Sequence, residues 1–232
     1  MIGLIGAMPE EVSSLVSALT DAVSETVAGV TYTRGFLAGK EVVVARAGVG
    51  KVNAALCACT MALLYHPTLL LNTGVAGALG EGVKQGDVVI ATSLVQHDMD
   101  TTPLGDPPGL LTVGGENLVE LIPSQKVVET LALAAEKEGV PPHFGMIASG
   151  DRFIANSAQK KEILSRFPAL ACEMEGAAVA HAAYAAGIPF GVLRVLSDDA
   201  DGAAPACYPV FVKSAAKKSQ EIVLSFLALY EE

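Results

Sequence analysis

The chain has 232 residues, a length that predicts one large domain spanning residues 1–232. Hydrophobic residues make up 51% of the sequence and charged residues only 17%, with a net charge of −10. This acidic balance argues against binding to nucleic acid, and no apolar run approaches the roughly 20 residues that a membrane helix needs. Because the first residues also lack the basic stretch of a signal peptide, we expect a cytoplasmic protein.

Strand and helix patterns alternate along the chain. The first segment is wholly apolar, which is typical of a buried strand, and Pro9, Glu10 and Glu11 suit the start of a helix. Strands are predicted at 1–6, 30–37, 41–47, 68–72, 87–95, 144–149, 169–172 and 190–196, and helices from Pro9 onwards and near 51–63, 127–138, 158–166, 177–186 and 210–230. The alternation predicts an α/β fold in which helices flank a central mixed, largely parallel sheet.

Glycine-rich and metal-ligand motifs give weaker signals. Gly48-Val49-Gly50-Lys51 does not fit a P-loop, which requires glycine at Ala45 and a hydroxyl residue at Val52. Segment 73–80 reads as a glycine-rich turn after a strand, where backbone amides can approach a ligand. The cysteines and histidines lack the spacing of metal ligands, and segment 97–100 is better interpreted as a solvated loop or a subunit contact. We therefore predict neither a metal nor a cofactor.

Three carboxylates follow two predicted strands. Glu173 and Glu175 flank Met174 between a short strand and an alanine-rich helix, and Asp198 follows Ser197 at the end of the next strand. If the first strand continues, alternation places Glu173 and Glu175 on one face, at the edge of an α/β sheet where ligands bind. The alternative is that one glutamate merely caps the following helix, where negative charge is favourable.

Seven motifs, in order, resemble those of the nucleoside phosphorylase/hydrolase superfamily, and most closely those of the methylthioadenosine/S-adenosylhomocysteine nucleosidases. The motifs are Ile5-Gly6-Ala7-Met8 with Glu10-Glu11-Val12; Gly48-Val49-Gly50-Lys51-Val52; Asn72-Thr73-Gly74 with Ala76-Gly77; His97-Asp98 with Asp100; Ser149-Gly150-Asp151 with Phe153-Ile154; Glu173-Met174-Glu175; and Arg194 with Ser197-Asp198.

The resemblance implies a homodimeric hydrolase without a cofactor. It would cleave the N-glycosidic bond of 5'-methylthioadenosine, S-adenosylhomocysteine and 5'-deoxyadenosine, releasing adenine in purine salvage and methionine recycling. Asp198 would be the general acid that protonates N7 of the purine, Glu11 would activate the attacking water, and Arg194 would organise that water. Glu10 is the competitor for the role of Glu11.

The resemblance also implies a set of substrate contacts. Glu175 would hold the ribose hydroxyls above Met174, and Phe153 would stack on adenine beside the backbone of Ile154. The remaining implied positions are Ser197, which would orient Asp198; Phe211, which would cover the substrate; and Met8, Glu173, Ala76 and Gly77. Elementary chemistry agrees with this arrangement, because cleavage needs an acid at the base and carboxylates near an oxocarbenium-like sugar. The acid must stay protonated near neutrality, which a desolvated position after an apolar strand favours.

Two departures from the superfamily pattern favour water over phosphate as the nucleophile. Val75 stands where a small polar residue is usual, and Asn72 stands where related phosphorylases use arginine for phosphate. Three alternatives remain: a purine nucleoside phosphorylase, a hydrolase of futalosine-type nucleosides, and a non-catalytic nucleoside-binding protein. The futalosine alternative would require a cationic group near 101–115, a loop that lacks one and is shorter than in many relatives. The binding-only alternative predicts loss of Asp198 or Glu11, and both are present.

Overall fold

A computed structural model describes residues 1–231 and confirms the α/β class. Its strands are β1 (Ile2–Gly6), β2 (Thr20–Val27), β3 (Val30–Leu37), β4 (Lys40–Arg46), β5 (Leu69–Ala78), β6 (Val88–Gln96), β7 (Leu111–Val113), β8 (Glu116–Leu118), β9 (His143–Ser149), β10 (Ala169–Glu173) and β11 (Phe190–Asp198). Its helices are α1 (Pro9–Ser17), α2 (Lys51–Tyr65), α3 (Gln125–Lys137), α4 (Ser157–Arg166), α5 (Gly176–Ala185) and α6 (Ala204–Leu229), with a 3-10 turn at Thr102–Leu104. Within this described part, no helix is both long and apolar enough to cross a membrane.

Nine strands form one mixed sheet in the order β10-β9-β6-β11-β5-β1-β4-β3-β2. The central strands β1, β5 and β11 run parallel to one another and are buried along their length. Helices α2 and α5 cover one face with an apolar cluster, and α1, α3 and α6 cover the other face with a second cluster. The carboxyl ends of the parallel strands therefore meet at one edge of the sheet.

The prediction of a glycine-rich turn at 73–80 is wrong, because strand β5 extends through most of this segment. The strand continues to Ala78 and pairs with β11 as far as Gly77, so most of that segment is extended. Glycine is required there for space: a Cβ on Gly74 would collide with the carboxylate of Glu11, and one on Gly77 would lie 3.0 Å from Asp198 Oδ1. The glycines thus let two carboxylates approach the strand, a reason that the local sequence pattern does not reveal.

Two further elements differ from the sequence prediction. Strand β2 was not predicted because it is an edge strand whose side chains are nearly all exposed, which removes the alternation that marks a half-buried strand. Helix α6 begins at Ala204 and not at residue 210, and it includes Pro209. A proline inside a helix removes one backbone hydrogen bond, which explains why the sequence pattern predicts a later start.

Candidate active site

A cleft opens at the carboxyl edge of the sheet, between β1, β5, β10 and β11. Most predicted site residues meet in it. The lining consists of Ala7, Met8, Glu11, Val49, Val75, Ala76, Gly77, Phe153, Cys172, Glu173, Met174, Glu175, Ser197, Asp198 and Tyr208. An adjoining recess shares Gly77, Phe153, Cys172, Glu173, Met174 and Asp198 and adds Arg152 and Ile154.

Glu11 lies at one end of the cleft, in the first turn of α1. Its Oε2 accepts hydrogen bonds from the backbone N–H groups of Ala7 (2.7 Å) and Met8 (3.0 Å), and its Oε1 accepts one from Val75 (3.0 Å). Burial raises the pKa of Glu11, against the lowering effects of Arg194 and of these hydrogen bonds. Glu10 is half-buried and lies outside the lining of the cleft, so of the two adjacent glutamates it is Glu11 that the structure brings to the site.

Glu173 and Arg194 form a buried ion pair behind the cleft. Arg194 is only 2% exposed, donates to Glu173 and to the side chain of Asn72, and does not line the cleft itself. Burial favours the neutral form of Glu173, but Arg194, Ser149 and two backbone N–H groups together keep its pKa below the usual range. Glu173 Oε2 also accepts from the N–H of Gly176 at 2.7 Å, so this residue caps the following helix in addition to pairing with Arg194 and lining the cleft.

Glu175 occupies a different environment from Glu173. Strand β10 ends at Glu173, so strand alternation does not extend to Glu175, which is the N-cap residue of α5. Its Oε1 accepts the N–H of Gly50 at 2.8 Å, which gives the Gly48–Lys51 motif a function other than phosphate binding. Burial, followed by the negative charge of Glu173, raises the pKa of Glu175 to about 8.

The raised pKa of Glu175 predicts a specific pH dependence of stability. The folded protein holds this proton up to about pH 8, whereas the pKa of an unperturbed glutamate is 4.5. Stability contributed by protonated Glu175 is therefore present below pH 4.5 and is lost as pH rises through about 8. We expect the melting temperature of the wild type to fall more between pH 5 and pH 9 than that of Glu175→Gln, measured without ligand. Equal slopes for the two proteins would contradict this assignment.

Asp198 is the last residue of β11 and lines the same cleft as Glu11. Its Oδ2 accepts a hydrogen bond from Ser197 Oγ and its Oδ1 accepts one from the N–H of Ala200, each at 2.9 Å. Burial raises the pKa of Asp198, although these two hydrogen bonds act in the opposite direction. The carboxyl group is thus fixed at both oxygens and desolvated, the condition in which an acid keeps its proton.

Aromatic side chains form the outer wall of the cleft. Phe153 lines it, and Tyr208, near the start of α6, contacts Phe153 edge-on with ring centroids 5.5 Å apart. Tyr208 also donates to Met8 Sδ at 2.9 Å, which connects the two sides of the cleft. Phe211 does not line the cleft but faces a separate groove beside Gln85 and Leu196, and Ile154 lines the adjoining recess. Tyr208 is the aromatic residue of the cleft that the sequence prediction missed, and Val49 and Cys172 also line the cleft without having been predicted as site residues.

The geometry agrees with the comparison to known protein families. The family model described as "Phosphorylase superfamily" matches residues 1–228. The chain belongs to this superfamily. A 5'-methylthioadenosine/S-adenosylhomocysteine nucleosidase of Shewanella sp. strain MR-7 is 38% identical over 228 residues, which cover 97% of the chain and 95% of the relative. Alignment over nearly the whole chain confirms the resemblance inferred from the seven motifs.

Solved structures of the phosphorylase superfamily extend this similarity to three dimensions. The nucleosidase of Neisseria meningitidis, in complex with methylthio-immucillin-A, matches with a TM-score of 0.93 and 34% identity over 98% of both chains. The Streptococcus pneumoniae nucleosidase, with a transition-state inhibitor, matches with a TM-score of 0.92 and 37% identity over 99% of both chains. Both are similar enough for this chain to be grouped with the nucleosidases of the superfamily.

The side chain of Asn72 and the backbone N–H of Val75 form hydrogen bonds within the protein and are not available to bind an anion. Asn72 donates to the carbonyl of Ile5 at 2.9 Å and accepts from Arg194, so both ends of its side-chain amide are used within the protein. The backbone N–H of Val75 donates to Glu11, and the Val75 side chain lines the cleft without a polar group. Neither residue offers a free donor to a phosphate.

Proposed function

We propose that this protein hydrolyses the N-glycosidic bond of 5'-methylthioadenosine and S-adenosylhomocysteine, and also that of 5'-deoxyadenosine. The observation that carries this proposal is the pair Glu11 and Asp198, which line one cleft from the first turn of α1 and from the end of β11. Relatives with the same overall structure are nucleosidases, and one is solved with methylthio-immucillin-A. The proposed products are adenine and the 5'-substituted ribose, which supports roles in purine salvage and methionine recycling.

At the base end, Asp198 would act as the general acid. Its raised pKa keeps the carboxyl group protonated at higher pH than a free aspartate. Proton transfer to N7 converts adenine from a poor anionic leaving group into a neutral one. Ser197 would orient the carboxyl group through its hydrogen bond to Oδ2. Phe153, Ile154, Ala76 and Gly77 would form the surface around the base.

At the sugar end, Glu11 would position and deprotonate the attacking water. Positive charge develops on the ribose as the bond breaks, and Glu175 above Met174 would hold the ribose hydroxyls near that charge. Arg194 would act indirectly, since its guanidinium pairs with Glu173 and does not reach the cleft. This modifies the expectation that Arg194 contacts the water. Tyr208, in place of Phe211, would cover the substrate beside Met8.

Water is the nucleophile that this site supports. A phosphate at the sugar face would need hydrogen-bond donors, but the N–H of Val75 already donates to Glu11. A phosphate would also approach a buried carboxylate, which repels an anion strongly in a site of low dielectric constant. This argument favours a hydrolase over the alternative of a purine nucleoside phosphorylase.

Product analysis with and without phosphate tests the proposal. Purified protein is incubated with 5'-methylthioadenosine in phosphate-free buffer and in phosphate buffer, and the products are separated by chromatography. We expect adenine and methylthioribose in both buffers. Adenine formed only with phosphate, together with a sugar phosphate, would make the protein a phosphorylase. No adenine in either buffer would favour the futalosine-type or binding-only alternatives.

The proposal includes a homodimer formed through the exposed face of α2. Val52 (69% exposed), Leu56 (58%) and Leu63 (74%) lie on one side of this helix and present an apolar stripe to solvent. A second copy of the chain is the occupant that the superfamily resemblance implies. Leu56→Glu is expected to shift the mass in light scattering from dimer to monomer. Leu133→Glu, equally exposed on α3, is the control and should leave the mass unchanged.

A cytoplasmic location completes the proposal. The four cysteines are free thiols in the part of the chain that the structure describes. Free thiols, including the exposed Cys59, fit a reducing compartment.

A further inference from the structure

Lys160 connects two strand ends at the edge of the cleft. Its ammonium group donates to the backbone carbonyl of Ala78 at 2.7 Å and to that of Asp199 at 2.9 Å. The side chain comes from α4, the helix that follows the loop bearing Phe153 and Ile154. Lys160 is half-buried, and its two hydrogen bonds connect α4 to the end of β5 and to the turn that follows β11.

The two acceptors adjoin residues that the proposed reaction uses. Ala78 follows Gly77, which lines the cleft, and Asp199 follows Asp198. Gly77 and Asp198 are register partners in the sheet, but the register shifts between Leu196 and Asp198. Regular strand pairing therefore ends at the acid, and Lys160 supplies a bond between the strands one residue beyond it.

The turn that bears Asp198 needs such support. Ala200 has a φ of 49°, a left-handed conformation that is unfavourable for a residue other than glycine. The hydrogen bond from the Ala200 N–H fixes Asp198 Oδ1, so a change in this turn would move the acid directly. Strained backbone persists only when surrounding contacts hold it in place, and Lys160 provides one of them.

We infer that Lys160 is a positioning residue for Asp198: it fixes the strained turn after β11 to the end of β5. The inference rests on the proposed function, in which Asp198 is the general acid. Lys160 does not line the cleft and is not a catalytic residue. Its action would be to keep the acid at the distance and angle that proton transfer requires.

Loss of Lys160 would also change the pKa of Asp198. Asp199 and Asp201 on the same turn raise the pKa of Asp198, and Lys160 brings a positive charge to the Asp199 carbonyl beside them. Loss of that charge, or of the fixed hydrogen bond to Ala200, would each raise the pKa of Asp198 further. Asp198 acts electrostatically on Cys172 on β10 and on Tyr208 on α6. The other charged or titratable groups that share a cavity lining with Asp198 are Glu11, Glu173, Glu175 and Arg152.

The test compares Lys160→Met with the wild type, using 5'-methylthioadenosine and the release of adenine across pH. We expect kcat to fall about 10-fold, as for a small displacement of a catalytic group, with KM little changed because Lys160 does not line the cleft. The alkaline limb of the kcat profile should move to higher pH. Lys160→Arg keeps the charge and two donors, and should restore both the rate and the profile. Lys161→Met, at the exposed neighbouring position, is the control and should behave as the wild type.

Different failures have different meanings. Unchanged kcat and an unmoved alkaline limb in Lys160→Met, with an active wild type, would overturn this inference alone. A lower rate with an unmoved limb and no rescue by Lys160→Arg would indicate a merely structural residue and would also overturn it. If Lys160→Met does not fold, Lys160→Gln, which is too short to reach both carbonyls, gives the same readouts. A wild type that releases no adenine would overturn both the proposed function and this inference.

Discussion

Replacement of Asp198 with asparagine is expected to lower kcat by about 10²–10⁴-fold, the usual contribution of general acid catalysis. The amide keeps the size of the carboxyl group and can still donate a hydrogen bond, but it cannot transfer a proton to the leaving base. Binding should change little, because the apolar and aromatic surface around the base is untouched. The expected result is therefore a loss in kcat with KM within a few-fold, measured by adenine release.

The control for this variant is Asp199→Asn. Asp199 is exposed and adjacent, and its side chain accepts only a surface hydrogen bond, from Gln85. Its replacement makes the same carboxyl-to-amide change one residue away and leaves the Asp198 carboxyl group in place. The pKa of Asp198 falls slightly, because Asp199 is one of the charges that raise it, and near-normal rates are expected. If Asp198→Asn retains activity within a few-fold of the wild type, Asp198 is not the acid. If Asp198→Asn is inactive, calorimetric titration of this variant with substrate shows whether it has lost the chemical step or substrate binding.

The sequence predicts best those site residues that lie at the ends of apolar strands. Largely apolar segments mark β1, β10 and β11, and polar residues that follow such strands lie at one edge of a parallel sheet. This reasoning alone brings Glu173 and Asp198 together, as observed. The superfamily resemblance adds Glu11. The local sequence shows only that a negative charge is favourable at this helix start, and gives no other reason to assign Glu11 to the site.

Other parts of the site depend on contacts between distant segments. The ion pair of Glu173 with Arg194 joins two strands, and no spacing rule shows that Arg194 points behind the cleft and not into it. Tyr208 was missed because α6 begins earlier than its periodicity suggests, with Pro205 in its first turn and Pro209 inside it. The extension of β5 was missed because its glycines look like turn residues when the carboxylates that approach them are not known.

Replacement of Glu11 with glutamine is expected to lower kcat by about 10²–10⁴-fold, because an amide cannot accept a proton from the attacking water. The substitution also affects stability. Glutamine has one acceptor oxygen, whereas the carboxylate accepts N–H groups from Ala7, Met8 and Val75. At least one buried N–H group then loses its partner, at a cost of about 1–3 kcal/mol. Relief from burying a charge offsets part of this cost.

The matched control is Glu10→Gln, which separates the two adjacent glutamates. The side chain of Glu10 does not line the cleft, and its link to α6 is made by its backbone carbonyl, which accepts from Gln220 at 2.7 Å. Glu10→Gln should therefore keep both the rate and the melting temperature of the wild type. A near-normal kcat in Glu11→Gln, together with a reduced kcat in Glu10→Gln, would identify Glu10 as the general base. A loss in Glu11→Gln with an intact melting transition would instead mean that the carboxylate acts on the water, since the fold that surrounds it is preserved.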